Sequence, residues 1–471
     1  MIRRLRQTPA PLALLLAVAA VTACAWIVVL PPLQGPDEVS HFSYTQRMVE
    51  GGTIPWEPRG GNAPGYPYSR EVGAVEVDAG FGPLAANVAA RPYWTPADKR
   101  FYSAADAKLG PGARTGGGET SSLKNPPLYY MYAAVPYVIA RGGSYFDREM
   151  LMRLANVPLL LIAVIFVWLV IGELLGRGWP QVVGTAAAAL LPQLLNVAAT
   201  VNPDLLLVAE WSAALYLMLL VLRRGPRRPL VAGVGALCVA GALTHARSLP
   251  LFAPAALAVG IAVARERGWR VRPAAAAATA FAAYSVVVLT VAAWGHGSIR
   301  QFLSYVWQFY LPRLSFMTPK PGAGDYGFRL GYVDRLYGTI AQLEVILPHG
   351  LEEAMWWISL GGLVALVVAL IVRRRGLRAQ AAEAWVLGFA LLALLIGLHL
   401  AAYRSLIANP LDPIVTARYL LPLLPLFGVA VALIASTLPR RAAPVFAGLV
   451  VAAGLALQLE SIGLLVERFY A

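Results

Sequence analysis

The feature that most constrains this chain is a series of apolar segments, each near the ~20 residues needed to cross a bilayer as a helix. They run from Pro11 to Leu30, Leu151 to Leu175, Gln181 to Ala199, Leu205 to Leu222, Leu230 to Leu243 and Leu249 to Ala264. Further along come Ala274 to Trp294, Ala354 to Val372, Ala384 to Tyr403, Ile414 to Leu438 and Ala443 to Val466. That makes about eleven spans, and it predicts an all-α polytopic membrane protein. With 58% hydrophobic and 14% charged residues, the chain matches neither a soluble nor a disordered composition.

A net charge of +14 would point to a nucleic-acid partner in a soluble protein. Here the arginines cluster between apolar segments: Arg3, Arg4 and Arg6; Arg223, Arg224, Arg227 and Arg228; Arg265, Arg267, Arg270 and Arg272; Arg373 to Arg375 with Arg378; Arg440 and Arg441. Short loops this basic mark the cytoplasmic side, so nucleic acid is excluded and the amino terminus is expected inside, with the carboxyl terminus outside. Counting Pro126 to Ala140 as a span would put Arg223 to Arg228 outside, so this segment is read as a juxtamembrane or re-entrant helix.

One membrane domain then carries two large outer loops, residues 31–125 and 295–353. Connections this long in a compact protein carry function of their own. Trp56, Tyr66, Tyr68, Tyr93, Trp94, Phe101 and Tyr102 in the first loop can stack on a sugar ring or anchor the loop at the interface. Cys24 and Cys238 both fall in spans, which leaves no disulfide framework. Val21-Thr-Ala-Cys24 resembles a lipoprotein processing box, but the apolar run continues to Leu30, which favours an uncleaved span.

The tract Pro31-Pro-Leu-Gln-Gly-Pro-Asp-Glu-Val-Ser-His-Phe-Ser-Tyr44 sets two carboxylates and a histidine where the first span meets water. Asp37 and Glu38 open a short helix that Gly51-Gly52 stops, and His41 falls one turn on, expected on the same face as both acids. Other polar residues gather at the outer ends of spans, where charge is costly and usually serves a site. These are Asp204 in Thr200-Val-Asn-Pro-Asp204, His245 and Arg247 in Thr244-His-Ala-Arg-Ser248, Arg404, and Arg418 with Tyr419. Each alone has an ordinary explanation: Asp37, Glu38 and Asp204 as helix-start acids, Arg418 as a snorkelling side chain, His245 as a loop residue. Their placement in one layer favours a site.

The outer Asp-Glu pair, then Asn125-Pro-Pro-Leu-Tyr-Tyr130, then Arg153, then Asn202-Pro-Asp204 resemble the integral-membrane GT-C glycosyltransferases. The pattern is closest to the bacterial aminoarabinose transferase and the protein O-mannosyltransferases. Ala417-Arg-Tyr-Leu-Leu-Pro422 and Pro36-Asp-Glu-Val-Ser-His41 are also similar to a functionally unassigned family of bacterial polytopic membrane proteins. The resemblance implies a bacterial cytoplasmic-membrane location and a polyprenyl-phosphate sugar donor. It also implies an envelope glycan, lipid or protein as acceptor, and Asp37 as the catalytic acid with Tyr129, Tyr130 and Arg153 as site candidates. Where the class often carries a lysine, this chain has Thr244-His-Ala-Arg, so His245 and Arg247 both stay open as contacts for the donor phosphate.

Such chemistry needs a base for the acceptor hydroxyl, for which Asp37 is the first choice and Glu38 the second. It also needs fixed cations for the leaving phosphate, with Arg418 and Arg247 ahead of Arg404 and with Tyr419 and His245 beside them. Alternatively Asp37, Glu38, Asp204 and His41 hold Mg or Mn. A transporter or flippase would use the same acids and arginines during alternating access, and a non-catalytic envelope scaffold is a third reading.

Overall fold

The computed structural model describes residues 9–57, 68–78, 95–116, 121–322, 326–410 and 415–471. Nine helices among them are long and apolar enough to span a membrane. A bent pair, Trp179–Ala189 and Pro192–Ala198, makes a tenth if taken as one span, and the shorter apolar helix Arg228–Thr244 falls on the eleventh expected segment. The eleven segments of the sequence are therefore all helical, but two are not straightforward spans. The segment from Gln181 breaks by 55° at Leu190–Leu191, because Pro192 has no N–H to continue the ladder and its ring excludes the carbonyl four residues back. This pair packs closely on the helix Leu424–Thr437, where a side chain at Gly428 would meet the Gly184 carbonyl at 3.0 Å. Only glycine lets the two backbones approach this far.

The described part of the first long loop contains the helices Glu38–Gly51, Arg70–Asp78 and Pro96–Leu109. We label Ala10–Val29 α1, Glu38–Gly51 α2 and Tyr145–Leu175 α3. α2 ends as the Gly-Gly pair predicts, with Gly52 in the left-handed conformation at φ 66°. Leu128–Ile139, only twelve residues long, is the helix that falls within the segment Pro126 to Ala140. α3 begins six residues before the expected start. A capping box sets its start, in which the Ser144 hydroxyl accepts from the Asp147 N–H and the Asp147 carboxylate accepts from the Ser144 N–H. The loop is fastened onto α3 by a buried charge cluster, with Glu71 accepting from Arg148 at 2.5 Å and from Arg114 at 3.0 Å.

The second long loop, residues 295–353, carries the helix Ile299–Tyr310, a helical turn at Arg329–Asp334, and a two-stranded antiparallel hairpin, Thr339–Ile340 with Val345–Ile346. The hairpin reaches across to the first loop, where Gln342 Nε2 donates to the Leu33 carbonyl at 2.5 Å. The two long loops therefore touch at this contact.

Candidate active site

Beneath Asp37 lies a rigid polar floor. Arg153, on α3, donates from Nε and Nη2 to the two oxygens of Glu38 at 2.8 and 2.6 Å, and from Nη1 and Nη2 to the carbonyls of Leu30 and Pro31 at 2.7 and 2.9 Å. Glu38 also accepts the N–H groups of Gly35 and Val201. Gly35 has to be glycine here, since a Cβ would strike both Thr200 and the Glu38 carboxylate. Asn202 Nδ2 donates to the Pro36 carbonyl at 2.8 Å, and Tyr129 reaches the same floor through Asn156, at 3.4 Å.

On this floor Asp37 takes a backbone conformation that non-glycine residues seldom adopt, φ 57° and ψ 17°. Aspartate tolerates the left-handed region better than most, and strain of this kind persists only where the surroundings impose it. Asp37 stands at the cap position of α2 but makes no side-chain capping bond. Its carboxylate instead pairs with Arg418 Nη2. The expectation that Asp37, Glu38 and His41 share one face is thus corrected: the left-handed turn sends Asp37 outward, while Glu38 points into the protein with no exposed surface.

Asp37, His41, Asn202, His245, Arg247, Arg418 and Tyr419 line one cavity of about 570 Å³. Asp204 lies behind its wall, joining Arg247 by an ion pair and standing 3.8 Å from Arg418 Nε. The Tyr419 ring is shared by both arginines, whose guanidinium carbons lie 4.1 Å (Arg247) and 5.1 Å (Arg418) from its centroid. Arg247 Nη1 and Arg418 Nε and Nη1 are buried without a hydrogen-bond partner, as is Asp204 Oδ2. His41 Nδ1 lies 2.8 Å from the Tyr130 hydroxyl and 3.1 Å from Ser122 Oγ, and Asn125 donates to the same tyrosine, so the Asn125-to-Tyr130 motif orients the imidazole.

The Arg418 guanidinium holds the Asp37 carboxyl down at about 2 although burial opposes it. The 53% exposure of its side chain is to the cavity, where Arg418 rather than bulk water decides the charge. Burial lowers His41 to about 4 and takes His245 well below the ordinary value, so both imidazoles are neutral at pH 7.

The remaining candidates lie elsewhere. Arg404 is inside the helix Ala381–Ala408 and donates to the Trp294 carbonyl, where it ties down the end of the neighbouring span instead of lining the cavity. Tyr129 and Arg153 belong to the floor. Of the loop aromatics, Tyr66, Tyr93 and Trp94 lie outside the described residues. Trp56, Tyr68, Phe101 and Tyr102 do not line the cavity. Lys124, Ser122 and Tyr332 do line it and were missed from the sequence. Lys124 immediately precedes the Asn-Pro-Pro motif, which is the one signal that points to it.

The donor set does not fit a divalent metal. Both Glu38 oxygens are committed to Arg153 and backbone N–H groups, and Asp37 and Asp204 face arginines, whose charge opposes a second cation. Among the described residues no group of three acidic, histidine or cysteine side chains is placed to hold one.

The fold and this cavity define a polytopic membrane protein with a charged site at one end of its helices. The chain belongs to the DUF2142 family of predicted membrane proteins, whose profile matches residues 21–427. No curated protein sequence matches it. Among solved structures it is similar to the apo oligosaccharyltransferase of Archaeoglobus fulgidus, at 12% identity and a TM-score of 0.47 over 98% of this chain and 56% of that one. The oligosaccharyltransferase AglB of the same organism, in complex with an inhibitory peptide and a dolichol-phosphate, gives 11% and 0.48, over 98% and 56%. ArnT from Cupriavidus metallidurans bound to undecaprenyl phosphate gives 14% and 0.43, over 97% of this chain and 75% of that one. The chain thus spans little more than half of the archaeal enzyme.

Proposed function

We propose that this protein is a membrane glycosyltransferase that moves a sugar from a polyprenyl-phosphate carrier to a cell-envelope acceptor on the outer face. The observation that carries this is the set of unpartnered guanidinium N–H groups on Arg247 and Arg418 in a cavity whose other wall is apolar, formed by Pro250, Leu394, Leu398 and Val415. Buried donors without acceptors are costly, and a phosphate with a hydrocarbon tail satisfies both walls at once. The acceptor oxygen attacks the anomeric carbon and gives its proton to Asp37. The carbon–oxygen bond to phosphate breaks, and the lipid phosphate leaves with the electron pair beside Arg418 and Arg247. A single displacement of this kind inverts the anomeric centre. A phosphate on the free Nε and Nη1 groups of Arg418 would share the charge that Asp37 meets through Nη2, which makes Asp37 a stronger base as the donor arrives.

Titrating purified protein with undecaprenyl phosphate tests the reading. Arg418→Ala is expected to weaken binding by about tenfold or more, whereas unchanged affinity overturns the phosphate site. A deletion strain is expected to accumulate a polyprenyl-phosphate sugar. The orientation is checked by labelling intact cells: Gly112→Cys reacts and Arg224→Cys does not, and the reverse pattern puts the cavity on the wrong side.

A further inference from the structure

We propose that the second outer loop carries a seat for an anionic phospholipid of the outer leaflet, separate from the cavity of Asp37. The helix Ile299–Tyr310 is two-faced. Phe302, Tyr305 and Phe309 are buried on one side, and Leu303 (54% exposed), Trp307 and Tyr310 stand out on the other. The segment after it folds back, with Trp307 Nε1 donating to the Pro312 carbonyl at 2.9 Å and Ser304 Oγ to the Thr318 carbonyl at 2.7 Å. Between helix and segment lies an apolar hollow of about 840 Å³, with Phe316 at its margin 69% exposed.

Arg300 lines this hollow, and Arg313 binds the backbone of Met317, which lines it too. Arg300 Nη2 donates to the Phe316 carbonyl and Arg313 Nε to the adjacent Met317 carbonyl, both at 3.1 Å. Neither has a carboxylate partner among the described residues, and each keeps further N–H donors free. Outer loops are ordinarily poor in arginine, so such a pair beside an apolar hollow calls for an anion with hydrocarbon attached. The surface continues the bilayer-facing side of the helix Pro273–Ala293. Ile299 lines a second hollow with Val286, Leu289 and Trp294, and Val286 is 64% exposed. A zwitterionic headgroup would bring its own cation against the two arginines, whereas an anionic headgroup would not. This proposal is independent of the glycosyltransferase reading, since the hollow shares no lining residue with the cavity.

The test uses the full chain in nanodiscs of phosphatidylcholine with phosphatidylglycerol, brominating the acyl chains of one lipid at a time at equal mole fraction. The Trp307 signal is isolated by difference against Trp307→Phe. Brominated phosphatidylglycerol is expected to quench Trp307 more strongly, by roughly fivefold in apparent affinity for each arginine. Raising salt in the unaltered protein weakens this preference. Arg300→Gln with Arg313→Gln removes it while quenching by the chains persists, and Arg313→Gln alone halves it if the double variant is unstable. Equal quenching by both lipids reduces the surface to a general interfacial anchor and overturns the proposal. No quenching by either also overturns it, and leaves the hollow to a protein partner.

Discussion

Glu38 and Asp37 are adjacent in the chain, yet one belongs to a closed polar node and the other to an open one. Around Glu38 the accounting is complete: both oxygens accept two bonds, and the nitrogens of Arg153 find Glu38, Glu149 and two backbone carbonyls. Around Asp37 it is not. Arg418 engages Asp37 and Tyr419 through one nitrogen and leaves two without acceptors, and Arg247 and Asp204 each leave one atom unmatched. A closed node fixes geometry, and an open one is ready for a ligand that completes it. The contrast teaches which charged residues to test for folding and which for chemistry.

The largest effect is expected at the closed node. Arg153→Met strands Glu38 without its cation in a fully buried place, which costs about 3–5 kcal/mol. Detergent-solubilised variant should show a sharply lowered melting temperature and a poor yield of folded protein. Adding Glu38→Gln to it should restore part of the loss, because the stranded charge is then gone. A single variant as stable as the parent would mean that the node is not what holds the Pro31-to-Asp37 turn.

At the open node the same kind of change should spare the fold. Asp37→Asn keeps size and polarity and removes the base, so sugar transfer is expected to fall by at least ~100-fold with melting unchanged. Near-normal transfer would remove Asp37 from the chemistry and favour the transporter reading. A smaller effect is expected from Arg418→Lys, which keeps the charge and loses the planar fork. Affinity for undecaprenyl phosphate should drop by about tenfold, short of the loss in Arg418→Ala. Equal affinity in Lys and Ala variants would show that charge at this position is not used.

Much of this contrast was hidden from the sequence, for physical reasons that differ between residues. Apolar runs are a local signal, and the helices follow them, including the short Leu128–Ile139. Pro192 inside the run from Gln181 was a visible break that the average hydropathy concealed. The layer of Asp37, His41, Asp204, Arg247 and Arg418 was legible because charge at span ends is rarely idle. Which carboxylate faced the cavity was not, since that depends on one left-handed residue and on Arg153, 115 positions away from Glu38. Lys124 and Tyr332 reach the cavity from different long loops, and nothing local announces a meeting set by how those loops fold onto each other.

A pH slope reads the open node through its histidine. His41 is buried between Tyr130, Ser122 and Asp37, and burial lowers it to about 4 while the attraction of Asp37 and Asp204 opposes the shift. In the unfolded chain it returns to about 6.5. Below pH 6.5 the unfolded state therefore binds the extra proton first, so stability falls as pH drops from about 6.5 to 4 and levels off beneath. The slope cannot exceed about 1.4 kcal/mol per pH unit for one group. Glu71 and His245 titrate abnormally as well, so the test is the difference between parent and His41→Asn, where only the His41 contribution is removed. Melting temperatures at pH 7 and pH 5 should converge in the variant relative to the parent. If the gap is the same in both, His41 keeps water enough to charge freely, and the cavity floor is more open than its packing against Tyr130 implies.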